Sequence, residues 1–267
     1  MEAMSVLDFQ NNEREYRNLG DIIWISLCLA LTDYEHPCKE THSQTMKCPR
    51  CVQPIHRAAE ACPHCGFSIE DADAQFGREE VRMRSLTDSA GVLKRGDRRR
   101  VEQAMERIPQ IFPQTFVAVY TGALGEFANL RQFGFWLLNR SAFEDVPIDK
   151  PNEAGILLTI DPESKAAGMA YGYLLDPFLT ESDTFECLSR AHARWLEGKY
   201  ADGIIKALAQ LEIILRKRSR QARRDPESFQ QKVMPPSKTG DIVRRIRAGH
   251  RNIAEVETRE KTMEVRK

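Results

Sequence analysis

The chain has 267 residues and carries 39 Lys plus Arg against 39 Asp plus Glu, a formal net charge of zero. That neutrality conceals an asymmetry: residues 1–215 hold 23 basic and 32 acidic side chains, net −9, whereas residues 216–267 hold 16 basic and 7 acidic, net +9. With 42% hydrophobic and 29% charged residues the composition excludes a fibrous or wholly disordered chain, and the length suits one well-cored domain with appendages.

Residues 1–45 are acidic, polar and poor in core formers. They read as a disordered or mis-assigned upstream extension, with Met46 as the start of the working protein. Their apolar run, Ile22 to Leu31, spans ten residues between Asp21 and Asp33, about half of what a membrane span needs. Glu2, Asp8, Glu13 and Glu15 stand where a signal peptide would be basic, so the default expectation is a cytoplasmic protein. Residues 46–70 form a cysteine module, 71–84 a charged linker, 85–215 a folded domain and 216–267 a basic flexible tail. No internal repeat is apparent.

Cys48-Pro49-Arg50-Cys51 and Cys62-Pro63-His64-Cys65-Gly66 are two Cys-x-x-Cys knuckles. Two intervening residues let both thiolates of a knuckle face one ion around a tight turn, and four thiolates in tetrahedral array describe a closed structural zinc site. A redox pair explains only one knuckle, and an iron centre is the alternative metal reading. His56 and His64 are spare. Cys28, Cys38 and Cys187 lack ligand spacing and read as buried or incidental thiols. The module resembles the zinc ribbons of prokaryotic proteins. Because metal binding is also folding energy in such modules, it is expected to fold autonomously.

In the folded domain, Arg98 to Ile111 places Val101, Met105 and Ile108 on one helical face. Thr115 to Tyr120 reads as a strand, Glu126 to Asn139 as a helix with Phe127, Leu130, Leu137 and Leu138 inward. Gly155 to Ile160 and Ala166 to Leu174 read as strands around the turn residues Asp161-Pro162-Glu163-Ser164. Helices over Ser182 to Glu197 and Ala201 to about Arg218 close it, the last with Ile204, Leu208, Leu211 and Leu215 on one face. The order argues a three-layer α/β/α domain around a mixed sheet, its last two strands antiparallel.

Several stretches, in order, resemble the TPM domain family, the thylakoid-lumen phosphatase-like domains also found in bacteria. They are Leu86-Thr87-Asp88-Ser89-Ala90-Gly91, the strand Phe116 to Val119, Glu153-Ala154-Gly155-Ile156, Tyr171-Gly172-Tyr173, and Trp195-Leu196-Glu197-Gly198-Lys199-Tyr200-Ala201-Asp202-Gly203. The resemblance covers about residues 85–215. It implies a three-layer fold and, in some members, cation binding or phosphatase activity, with Asp88, Glu153, Asp176 and Glu181 at the acidic positions that would hold calcium or magnesium. Glu153-Ala154 stands where the family has Asp-Asn, Leu174 where a second glycine is usual, and Glu181 where it has Asp. Each change adds bulk or lengthens a ligand arm.

The run Arg216 to Arg224 contains six cations in nine residues. It could meet nucleic acid or an anionic lipid surface, although no aromatic residue interleaves it for base stacking. Three functional expectations follow. The first is a non-catalytic accessory factor with a protein partner, the zinc ribbon serving as docking module. The second is a cation-dependent phosphatase using the four carboxylates, and the third is nucleic-acid binding through ribbon and tail. Replacing Cys62 by Ser is expected to unfold the ribbon and spare the α/β domain; a Cys62→Ser protein that still carried a full complement of zinc by metal analysis would contradict the ligand set.

Overall fold

The computed structural model describes residues 45–56, 59–125 and 129–230. The expected extension, Phe127 and the tail beyond Gln230 lie outside the described residues. The chain divides into two compact units, one containing Ser43–Val92 and Val117–Tyr173, the other Leu93–Phe116 and Leu174–Pro235.

The first unit begins with the antiparallel pair β1 (Thr45–Lys47) and β2 (Pro54–His56). Helix α1 (Ile69–Phe76) follows, then β3 (Val81–Met83) and β4 (Leu86–Asp88). Residues 71–84, whose charge suggested a linker, are therefore folded. Ser68 caps α1 by accepting from Asp71 N–H while Asp71 accepts from Ser68 N–H at 2.9 Å, a capping box. Strand β5 (Phe116–Thr121), helix α3 (Leu130–Arg140), β6 (Ser141–Phe143), β7 (Gly155–Asp161) and β8 (Ala166–Tyr171) complete it; helix α2 (Arg95–Ile111) belongs to the second unit.

The main sheet has the order β4-β5-β7-β8 and is mixed, with β4 parallel to β5 and β7 antiparallel to β8. Every residue of β7 is buried, which is why Gly155 to Ile160 reads as an unbroken apolar run rather than an alternation. At the β7–β8 turn, Asp161 Oδ1 accepts from Glu163 N–H at 2.9 Å, the side-chain-to-backbone bond that the Asp-Pro-Glu-Ser sequence foretold. Helix α3 packs on β7 and β8; it is capped by Asn129, whose Oδ1 accepts from Arg131 and Gln132 N–H, and so starts later than the periodicity suggested. The short parallel pair β3 and β6 has the register Val81↔Ser141 to Met83↔Phe143. Three-residue strands are too short to show a period, so the sequence hid them.

The second unit is helical: α2 (Arg95–Ile111), α4 (Glu181–Leu196), α5 (Tyr200–Arg224) and α6 (Pro226–Gln230). The buried residues of α2 are Val101, Met105 and Ile108, the face read from the periodicity. Helix α5 continues past Arg218 because its buried face does, through Ser219 and Ala222. Two cations of the basic run are engaged within the unit: Arg216 bonds Glu212 at 3.0 Å and Arg218 bonds Asp183 at 3.2 Å. Glu212, only 8% exposed, also meets Arg107 of α2 at 3.1 Å, so a buried carboxylate is held between two guanidinium groups. Phe229 of α6 lies 5.6 Å from the Phe178 ring. The segment expected as a free tail thus starts as folded helix.

Trp195, 1% exposed, packs so tightly on α5 that a Cβ at Gly203 would lie 2.2 Å from its Nε1. Gly203→Ala is predicted to destabilise the chain by about 1–3 kcal/mol through overpacking, outweighing the roughly 1 kcal/mol of helix propensity that alanine adds; urea unfolding measures the difference.

Candidate metal centre

The two knuckles superpose residue for residue in their hydrogen bonding. Cys48 N–H donates to Gln53 O at 3.0 Å and Val52 N–H to Cys48 O at 2.9 Å; Cys62 N–H donates to Phe67 O and Gly66 N–H to Cys62 O, both at 2.8 Å. Outside each turn an antiparallel pair closes the hairpin, Lys47↔Pro54 for the first and Ala61↔Ser68 for the second. The ribbon is therefore an internal repeat, offset from Cys48 to Cys62, that the divergent side chains conceal. The fifth position of each knuckle is left-handed, φ 65° at Val52 and 73° at Gly66. Glycine occupies this conformation without penalty, whereas a β-branched residue is strained there.

This shared geometry brings four sulfurs together. The Sγ atoms of Cys48, Cys51, Cys62 and Cys65 all lie within 4.8 Å of one another, with Cys48–Cys65 at 3.7 Å and Cys51–Cys62 at 3.6 Å. A tetrahedron of sulfurs about 2.3 Å from its centre has edges of about 3.8 Å, so the four thiols have the size of a tetrahedral ion cage. Cys48 and Cys62 are buried, Cys51 and Cys65 half-buried. Backbone amides face the sulfurs, with Arg50 N–H donating to Cys48 Sγ at 3.4 Å. Burial pushes the Cys48 thiol up. Burial opposes ionisation of Cys62 too, but the N–H groups of His64 and Cys65 outweigh it and bring its thiol to about 6. The arrangement fits a metal ion that binds thiolates. His56 and His64 are exposed and outside the cluster. Cys187 is fully buried with its thiol pushed up to about 12, chiefly by burial, an inert core residue; Cys28 and Cys38 lie outside the described residues.

The four carboxylates singled out in the sequence are spread over the two units. In the first, Asp88 ends β4 and its Oδ1 accepts from Thr121 Oγ1 at 2.5 Å and Val92 N–H at 3.1 Å. Glu153 sits there in the single turn Asn152–Ala154 and is 4% exposed. In the second unit, Asp176 is exposed and Glu181 is the first residue of α4, behind the Thr180 cap. Among the described residues the cysteines are the one group of three or more His, Cys, Asp or Glu whose ligand atoms gather within 4.8 Å of one another.

The model of the TPM domain matches residues 86–213. That stretch, a little under half of the chain, matches the TPM domain family. Solved structures with likeness to the chain include the N-terminal domain of a protein from P. gingivalis, 19% identical with a TM-score of 0.39, covering 57% of this chain and 92% of that one. Another is the N-terminal domain of the cg2496 protein from Corynebacterium glutamicum, 12% identical with a TM-score of 0.39, covering 51% of this chain and 82% of that one. None of the curated proteins compared with the chain matches it. Among the described residues no helix is long and apolar enough to cross a membrane.

Within the matched stretch Tyr171-Gly172-Tyr173 has a structural reason. Gly172 N–H donates to Gly155 O at 3.0 Å, and a Cβ on Gly172 would lie 2.1 Å from Glu153 O, so only glycine lets the backbone close over the Glu153 turn. Sequence reading missed Asn152, whose amide donates to Leu138 O at 2.6 Å and Ser141 O at 3.1 Å and fixes that turn to the end of α3. It also missed the cap at Ser68, although Ser-x-x-Asp before α1 is a readable signal.

The knuckle asymmetry yields a paired prediction. Val52→Gly should relieve about 1 kcal/mol or more of backbone strain and slow metal loss to a competing chelator, while Gly66→Val should speed it; equal rates for the two variants would refute the strain assignment.

Proposed function

We propose that the four cysteines hold a structural zinc ion and that the chain acts as a non-catalytic accessory factor whose TPM domain engages a protein partner. The observation carrying this reading is the closed four-sulfur cage. Four thiolates complete the tetrahedral coordination of zinc and leave no open position for water or substrate, so the ion supplies folding energy rather than chemistry.

A second reading, a phosphatase dependent on calcium or magnesium, is supported by the buried Glu153 carboxylate, at 4% exposure, in a TPM domain. With Asp88 of the same unit it would supply oxygen ligands of the kind such hard cations take. Two measurements on the full-length chain separate the readings. Metal analysis should find about one zinc per chain, and phosphomonoester turnover with calcium or magnesium should not exceed the chelator control. Turnover that disappears in both Asp88→Asn and Glu153→Gln would overturn the accessory reading.

A further inference from the structure

The ribbon expected to fold alone is gripped by the TPM domain through one of its two knuckles. Where the first knuckle places the exposed Gln53, the second places Phe67, which is 6% exposed and meets Phe135 of α3 edge-on at 6.2 Å. One residue later Ser68 starts α1, and α1 runs along α3. The Phe76 ring lies 5.4 Å from Phe133 and 5.5 Å from Trp136. Trp136 Nε1 donates to Gly77 O at 3.1 Å. Asp73, 7% exposed, receives both Nε and Nη2 of Arg140, the former at 2.9 Å. Phe133, Phe135, Trp136 and Arg140 thus tie one helix to the segment leaving the sulfur cage. At the C-terminal end of that helix, beside Arg140, Leu138 O and Ser141 O take the two N–H groups of Asn152, 5% exposed, directly before Glu153.

Taken together, these contacts make a continuous chain of packed rings, a part-buried ion pair and buried amide bonds from Phe67 to Glu153. We infer that metal occupancy of the sulfur cage orders the Asn152–Glu153 turn of the TPM domain through α1 and α3, with Asn152 as the positioning residue. This rests on the metal reading above. Without an ion the ribbon retains, among its described residues, only Cys48, Ile55, Cys62 and Phe67 as buried apolar side chains, too few for a core, and it unfolds. Phe67 then leaves Phe135, and the capped eight-residue α1 is too short to persist alone. Its departure strips the buried Trp136 N–H of its acceptor and Arg140 of its carboxylate, which loosens α3 where Asn152 holds it.

Hydrogen exchange read by mass spectrometry on the full chain tests this, comparing purified, chelator-stripped and zinc-reloaded protein with metal content measured for each. Stripping should lower protection about tenfold or more over 130–143 and 150–155 as well as over 46–68, and reloading should restore it. In Asn152→Ala, zinc should be retained and 130–143 should still respond, while 150–155 should be unprotected with or without metal. Loss of protection confined to 46–68 overturns the inference while leaving the metal reading standing. Unaltered metal response at 150–155 in Asn152→Ala overturns the role of that residue. A chain that holds no zinc when purified or reloaded overturns both. Should Asn152→Ala fail to fold, the three wild-type states still decide between coupling and autonomy.

Discussion

The described residues of the ribbon bury little apolar surface, and the gathering of four sulfurs is the constraint on which this module rests. Two identical backbone turns achieve it. Each bends the chain through a left-handed corner so that both cysteines of a knuckle face inward while amide N–H groups point at sulfur. Because the turns are equivalent in backbone and different in side chain, one can serve the metal alone while the other also docks. Phe67 and Ser68 convert the exit of the second turn into a helix start, and that helix is what α3 holds.

The second unit is organised by a different economy. Its helices bring acidic groups to buried or half-buried positions and answer them with arginines from elsewhere in the unit: Glu212 with Arg107 and Arg216, Asp183 with Arg218, Asp202 with Arg100 at 2.6 Å. The charge asymmetry of the sequence is thus partly consumed inside the fold, since the basic end of α5 supplies partners to acids that precede it. Lys217, Arg220, Arg223 and Arg224 of the run are exposed.

Legibility followed the length of each pattern. Seventeen-residue α2 and the seven-residue β7 announced themselves because each repeats its period or its apolar run several times. The Cys-x-x-Cys pairs were legible because metal chemistry fixes both residue type and spacing. The pieces that join modules were not. Charged residues in Ile69–Phe76 masked a helix that has only Ala72 and Asp73 buried, and its stability comes from the ring and ion-pair contacts with α3 rather than from local propensity. The repeat in the ribbon was hidden for the opposite reason: backbone hydrogen bonds define it, and they tolerate Val52 for Gly66 and Gln53 for Phe67. Asn152 gave no signal, because its partners are carbonyls distant in sequence.

The single residue Ser68 between Phe67 and α1 sets an angular phase. A helix turns about 100° per residue, so inserting or deleting one residue at this junction would swing Ala72, Asp73 and Phe76 away from α3 together. The junction therefore behaves as a keyed shaft rather than a tether: composition there can drift, provided the cap survives, but length cannot.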